Sequence, residues 1–353
     1  MPSWEELSAL PPEDKAKWFS SDGRLRHALM AQQFDRALLD RLCELSTRTR
    51  RIAKTKGGRL FLQNLLSDRR AMLYFAQPST RTFLSFYAAC QIIGLQPAEV
   101  RDTQTSSELK GESPEDSVRT FSSYVDLIIM RHPMGGFAER VAWMLSQTNR
   151  CVPVINAGSG KDQHPTQALL DIYTLAYSFA ERGGIEGKTI AFVGDLKRGR
   201  TARSLSWLLT RYSGVRQIFC APDALQIGPD VRQSLDAAGA PWEMTDDFED
   251  VVARADAIYM TRLQDEWDQH GESRAIDVSR FRFRAEHLAR LRPDAVLLHP
   301  LPRRDEIAVE VDRDPRAVYW RQVRNGMWIR AALMLWMFDK DGEINEYYED
   351  LMG

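Results

Sequence analysis

Three short segments of this chain place side chains suited to holding a phosphate or a carboxylate. Pro78-Ser79-Thr80-Arg81-Thr82 lies between an apolar run and a helical pattern. Hydroxyls, a guanidinium and the N–H groups of a helix N-terminus would converge there, which are the donors a phosphate needs. Taken alone, the segment fits equally well a helix capped by Ser79 with a solvent-facing Arg81. Gly194-Asp195-Leu196-Lys197-Arg198-Gly199-Arg200-Thr201 also sits between a strand and a helix, and it imitates the nucleotide-binding pattern GxxxxGK[ST]. Arg200 stands where that pattern has Lys, and the two are not equivalent. Gln163-His164-Pro165-Thr166-Gln167 opens a long helical pattern. A neutral His164 at a helix start could donate to a developing oxyanion, although such a residue is commonly a cap.

Two further features concern strand ends. Leu298-His299-Pro300-Leu301-Pro302-Arg303 combines a strand end with two prolines, a stiff turn whose carbonyls could accept from an amide NH2. Arg131 follows Ile128-Ile129-Met130, and Arg262 follows Tyr259-Met260-Thr261. Carboxyl ends of parallel strands are where open α/β sheets bind ligands. With Arg81 and Arg200, these arginines would suit a ligand carrying several anionic groups.

The elements that must carry these residues alternate. Short apolar runs at 71–75, 127–130, 152–155, 189–193, 217–220, 257–260 and 295–298 read as buried strands, most of them followed by helical spacing. Phe83, Phe86, Tyr87 and Cys90 form one such stripe, ending at Gly94. Leu38, Leu39, Leu42 and Leu45 form another, and residues 164–182 and 325–338 are further helical patterns. Continuous apolar strands between helices imply an α/β fold of two doubly wound parallel-sheet domains. The 164–182 helix would join them. Residues 1–25, with Pro11-Pro12 and one expected short helix, read as an extension packed on its own domain.

Composition agrees with a globular chain. There are 353 residues, 44% apolar and 27% charged, enough for two cores. Net charge is −2, so no global field recruits nucleic acid or an anionic membrane. Cys43, Cys90, Cys151 and Cys220 lack the spacing of a zinc site or a secreted disulfide framework, and a reducing, cytoplasmic setting is expected.

In order along the chain, these motifs resemble the aspartate carbamoyltransferase catalytic-chain family. The matching segments are PSTRT (78–82), SSELKGES (106–113), MRHP (130–133), INAGSGKDQHPTQALLD (155–171), VGDLKRGRTARSL (193–205), YMTRLQ (259–264), LLHPLPRRDEI (297–307) and EVDRDPRAVYWRQVRNGM (310–327). The resemblance implies transfer of the carbamoyl group of carbamoyl phosphate to the α-amino group of L-aspartate, the committed step of pyrimidine synthesis. It also implies roles. Ser79, Thr80, Arg81 and Thr82 would cradle the phosphate, while Thr82, Arg131 and His164 would hold the carbamoyl oxygen. Gln167 and the carbonyls around Pro300 and Leu301 would accept from the carbamoyl NH2. Arg200 would take the α-carboxylate of aspartate, with Arg262 and Gln264 on its β-carboxylate. Ser106 and Lys110 would arrive from a neighbouring subunit, which implies a homotrimer with shared sites. The implied domains are a carbamoyl phosphate domain at 26–170, completed by a C-terminal helix at 326–345, and an aspartate domain at 171–325. The site would lie in the cleft between them. A regulatory chain or a dihydroorotase remains open as a further partner. No cofactor or metal is expected, because the leaving phosphate is already activated and cationic donors serve the oxyanion.

Some positions depart from the family pattern. Phe83 and Tyr87 replace an Arg and a Glu, which turns an i, i+4 ion pair into an aromatic pair. Ser159 stands where Asp is common, and Asp265 and Trp267 replace basic residues. Three other readings compete: an ornithine carbamoyltransferase, a catalytically silent relative acting as a partner subunit, and a P-loop NTPase. Arg262 argues against the first, since it would repel an ornithine ammonium.

Overall fold

The computed structural model describes residues 2–21, 23–101, 111–160, 163–264 and 276–352. The chain divides into two compact units: Met1–Leu170 together with Gly326–Gly353, and Asp171–Asn325. Both division points fall inside helices, Pro165–Phe179 and Tyr319–Met337.

The first unit opens with an antiparallel pair, β1 (Ser20–Ser21) and β2 (Arg24–Leu25). Its main sheet contains β3 (Arg70–Phe75), β4 (Gln96–Val100), β5 (Leu127–Arg131) and β6 (Val154–Asn156). The strands are all parallel, in the order β4-β3-β5-β6. Because β3 leads to β4 on one side and β5 to β6 on the other, the strand order reverses between β3 and β5. Such a reversal opens a crevice beyond the strands' carboxyl ends.

Successive strand residues point to opposite faces. Met72, Tyr74, Ile128, Met130 and Val154 bury one face against Val118, Val141, Ala142 and Leu145 from helices Pro114–Ser122 and Phe137–Ser146. The N-terminal residues join that core. Two short helices form there, Trp4–Ala9 and Pro12–Lys17, rather than the one expected. Ser3 and Glu6 make a reciprocal capping box on the first, and Leu7 and Phe19 enter the core. Trp4 meets Trp143 at 5.9 Å between ring centroids, and the Trp143 indole donates to Pro2 O at 2.9 Å. At the other end of the chain, helix Asp341–Met352 packs on helices Arg36–Ile52 and Lys56–Asn64. Tyr347 stacks on Phe61 at 4.0 Å and Arg48 donates to Asn345 at 3.1 Å.

The second unit holds β7 (Thr189–Val193), β8 (Arg216–Cys220), β9 (Trp242–Thr245), β10 (Ala257–Met260) and β11 (Val296–Leu298). These too are parallel, in the order β11-β10-β7-β8-β9. The reversal here falls between β7 and β10. Ala191, Val193, Ile218, Ile258, Met260 and Leu297 bury one face with Val251, Val252 and Phe283. Phe192 stacks on Phe219 at 5.2 Å and meets Tyr259 at 5.8 Å on the other. No helix among the described residues is long and apolar enough to cross a membrane.

Candidate active site

In the first unit, the segment after β3 and the end of β5 meet at the strand-order reversal. The Gln77 amide donates to Arg131 O at 3.0 Å, which ties the two together. Ser79 occupies the N-cap of helix Thr80–Ile92, but its hydroxyl makes no capping bond. Ser79 thus stands at the N-cap, as the capped-helix reading expects, but without the hydroxyl bond of that reading, and the first-turn amides of Thr80, Arg81 and Thr82 keep the orientation expected at a helix start. Arg81 is exposed, whereas Thr82 is buried. Beneath them, Phe83 meets Phe75 edge-on at 5.5 Å and Tyr87 at 5.8 Å, with the Arg101 guanidinium 4.3 Å over its ring. The aromatic pair expected from the sequence is formed.

Arg131 and His164 are both buried. Gly158 brings them together, since a Cβ on it would stand 2.9 Å from Arg131 Nη1 and 2.8 Å from His164 Nε2. Its φ of +97° is also one that side-chain-bearing residues avoid. The loop carrying Gly158 is fixed by Asn156, whose Oδ1 accepts from the amides of Gly158 (2.9 Å) and Ser159 (2.8 Å). Ser159, the departure from the family pattern, accepts the His132 amide at 3.0 Å and so joins the loops that follow β5 and β6. Burial keeps the His132 pKa below its ordinary value against the opposing charge of Glu115, and its Nδ1 accepts the Met134 amide. His164 caps helix Pro165–Phe179, its carbonyl accepting from the Gln167 and Ala168 amides. Gln167 follows within the first turn and is buried. The neighbouring Gln163 is structural, accepting the Ala31 amide at 2.7 Å.

In the second unit, the reversal between β7 and β10 is organised by a buried carboxylate. Asp195 accepts the Arg198 amide (3.2 Å) on one oxygen and the Gln264 amide (3.0 Å) on the other, and pairs with the Arg198 guanidinium at 3.6 Å. The Gly194 backbone lies so close to Thr261 that a Cβ there would collide with its carbonyl oxygen. These contacts bring together the loops that carry Arg200, Arg262 and Gln264. Arg200 is the first residue of helix Arg200–Leu209 and is buried, while Arg262 and Gln264 are half-buried. With Asp195 accepting the Arg198 amide, the loop is built around its own carboxylate rather than opened toward a nucleotide phosphate.

Pro300 and Leu301 follow β11, next to β10 in the sheet. Leu301 has a φ of +57°, rare for a side chain of its size, and precedes a cis peptide bond to Pro302. Buried His299 holds this turn. Its Nδ1 accepts the Leu301 amide at 2.7 Å, so its Nε2 carries the proton donated to Glu306 at 2.6 Å. Burial raises the Glu306 pKa, but the bonds from His299 and the backbone outweigh it and leave the value lowered. Ser106, Lys110, Asp265 and Trp267 lie outside the described residues.

Spacing alone does not single out Asn156, Gly158 and Asp195, which organise the loops without carrying the chemistry. The turn-forming run Asn156-Ala157-Gly158-Ser159-Gly160 is the available signal for the first two. No group of three or more metal-ligating side chains occurs among the described residues.

Two parallel sheets, each gathering cationic side chains beyond a strand-order reversal, define a two-unit α/β protein built to hold anionic ligands. The chain belongs to the aspartate/ornithine carbamoyltransferase family: residues 26–177 match its carbamoyl-P binding domain and residues 186–337 its Asp/Orn binding domain. It is 39% identical to the chloroplastic aspartate carbamoyltransferase of Oryza sativa subsp. japonica over 88% of this chain and 84% of that one. It is 40% identical to the aspartate carbamoyltransferase catalytic subunit of Vibrio cholerae, over 83% and 94%. Among solved structures, aspartate transcarbamoylase from Trypanosoma cruzi in complex with carbamoyl aspartate and phosphate aligns with a TM-score of 0.79 and 36% identity, covering 88% and 95%.

Proposed function

We propose that this chain transfers the carbamoyl group of carbamoyl phosphate to the α-amino group of L-aspartate, releasing N-carbamoyl-L-aspartate and phosphate. The observation that carries the reading is the chemistry of the two sites: hydroxyls, Arg131 and His164 at one reversal, and Arg200 with Arg262 at the other. The first set fits a phosphate joined to a carbonyl, and the second fits a molecule with two carboxylates.

The amine nitrogen attacks the carbamoyl carbon, and the C=O electrons move onto oxygen. Thr82, Arg131 and His164 donate to that oxyanion. As the tetrahedral centre collapses, the bond from carbon to the phosphate oxygen breaks. Ser79, Thr80, Arg81 and Thr82 hold the departing phosphate, which is basic enough to accept the proton the amine gives up. Gln167 and the Pro300 and Leu301 carbonyls accept from the carbamoyl NH2. Arg200 binds the α-carboxylate of aspartate, and Arg262 with Gln264 binds the β-carboxylate. Ser106 and Lys110 complete the site from a neighbouring subunit, so the active form is a homotrimer. A cytoplasmic setting fits the four free cysteines.

The test measures phosphate release with aspartate or ornithine as acceptor, with the product identified by mass. Turnover with aspartate alone is expected. Turnover with ornithine alone would overturn the role of Arg262, and silence of a trimeric preparation with both would overturn the reaction.

A further inference from the structure

A chain of buried polar groups in the second unit ends at the Leu301 turn. Tyr259 donates its hydroxyl to Asp171 Oδ2 at 2.8 Å, and Gln322 donates its amide to Asp171 Oδ1 at 2.6 Å. The Gln322 carbonyl oxygen accepts the His299 amide at 2.9 Å, and His299 Nδ1 accepts the Leu301 amide at 2.7 Å. Asp171, Tyr259, Gln322 and His299 are each at most 1% exposed. Every member has a fixed polarity. The His299 backbone N–H can only donate, which sets the oxygen of Gln322 against His299 and its nitrogen end against Asp171 Oδ1. Buried networks of this kind specify one geometry because any reversal leaves an unsatisfied group.

The network meets the backbone where it is least ordinary. Leu301 has a φ of +57°, a conformation that persists only when its surroundings over-determine it. The structure assigns to Asp171, acting through Gln322 and His299, the positioning of the Pro300–Leu301 carbonyls that receive the carbamoyl NH2. This rests on the reaction proposed above. None of the three touches substrate, so all are positioning residues. Their effect falls on the amide end of carbamoyl phosphate and leaves the phosphate end to Ser79–Thr82.

The fixed polarity can be broken and then restored by substitution. Gln322→Glu sets a second carboxylate against Asp171 and removes the donor between them. Asp171→Asn combined with Gln322→Glu restores the pattern in reverse. The amide nitrogen introduced at position 171 then donates to the carboxylate introduced at position 322, which still accepts the His299 amide. The amide oxygen at position 171 still accepts from Tyr259. Binding of inorganic phosphate and of carbamoyl phosphate is measured for each protein, with turnover of the wild type on aspartate as the control. Gln322→Glu is expected to weaken carbamoyl phosphate at least tenfold while phosphate affinity stays within twofold. The double variant is expected to recover to within threefold of wild type. A purely structural role would move both ligands together. If Gln322→Glu does not fold, Gln322→Met, which lacks both polar ends, takes its place with the same expectation for the two ligands. Unchanged carbamoyl phosphate affinity, equal loss of both ligands, or no recovery in a folded double variant overturns the positioning role. A wild type that turns over aspartate isolates that failure to this inference, whereas an inactive wild type overturns the reaction and the inference with it.

Discussion

The Arg131 guanidinium and the His164 imidazole close on the same glycine, with Nη1 2.9 Å and Nε2 2.8 Å from where a Cβ on Gly158 would stand. Gly158→Ala must push one or both donors away, or force the loop out of its φ of +97°. Displacing a reacting-centre group by about 1 Å costs on the order of a hundredfold in rate. Steady-state kinetics on Gly158→Ala should show that loss in kcat, with circular dichroism unchanged. A variant with more than half of wild-type kcat would remove both residues from the oxyanion.

In the proposed reaction His164→Ala deletes one preorganised donor, a loss of about 2.7–4 kcal/mol in a comparable oxyanion site. That corresponds to roughly a 10²–10³-fold fall in kcat. Arg81→Ala removes a charge-assisted phosphate donor and is expected to fall further, below about one-thousandth of wild type. Equal activities of the two variants would contradict the division of roles between leaving group and oxyanion.

In the proposed reaction Arg262 distinguishes a carboxylate from an ammonium. Arg262→Gln should raise the KM for aspartate and lower kcat/KM by about thirtyfold or more, in line with about 2–5 kcal/mol for truncating one partner of a charge pair that the bound substrate buries. Carbamoyl phosphate affinity should hold. A variant in which only carbamoyl phosphate binding weakens would move Arg262 to the other substrate.

The inner strands were legible because each is a continuous apolar run buried on both faces, as in β5 and β7. Of the edge strands, β6 and β11 are buried, mainly apolar runs like the inner ones, whereas β4 and β9 carry no such signal because their residues are mostly exposed or half-exposed, and β4 contains Pro97. Helix Tyr319–Met337 begins six residues before the expected Asn325, since Arg321, Gln322 and Arg324 hide its first turns from an apolar pattern, and the single helix expected over 326–345 is instead two, broken at 338–340 where Asp339 has a φ of +58°. The charged and hydroxyl residues of the site could be picked out because their types declare a chemistry. Asp195, Asn156 and Asp171 could not be assigned in this way. Asp195 and Asp171 meet partners far away in sequence, Gln264 for the first and Tyr259 and Gln322 for the second, whereas Asn156 takes the amides of Gly158 and Ser159 in a local turn.

His27 links stability to pH. It is fully buried, its Nδ1 accepts the Val154 amide at 3.1 Å, and its Nε2 lies 3.0 Å from Ser146 Oγ. Burial, aided by the charge of Arg26, lowers its pKa to about 3. Above pH 6.5 neither the folded nor the unfolded chain binds this proton. Between about pH 6.5 and 3 only the unfolded chain takes it up, so stability declines as pH falls, by up to about 1.4 kcal/mol per pH unit. His27→Asn keeps an acceptor for Val154 and should flatten that slope. Urea midpoints between about pH 6.5 and 4 check it, and an unchanged slope would assign the acid sensitivity to other groups.

The first unit is not contiguous. Its sheet is complete by residue 156, yet the unit also includes residues 326–353, with the helix that packs on Arg36–Ile52 and Lys56–Asn64. During synthesis, residues 171–325 must leave the ribosome in between, which takes about 8–30 s at about 5–20 residues per second. Through that interval Phe61 lacks Tyr347 and Arg48 lacks Asn345, so apolar surface on Arg36–Ile52 and Lys56–Asn64 stays open. The nascent chain therefore passes through a stage with the second unit able to close and the first unfinished, which is when a chaperone would have most to hold.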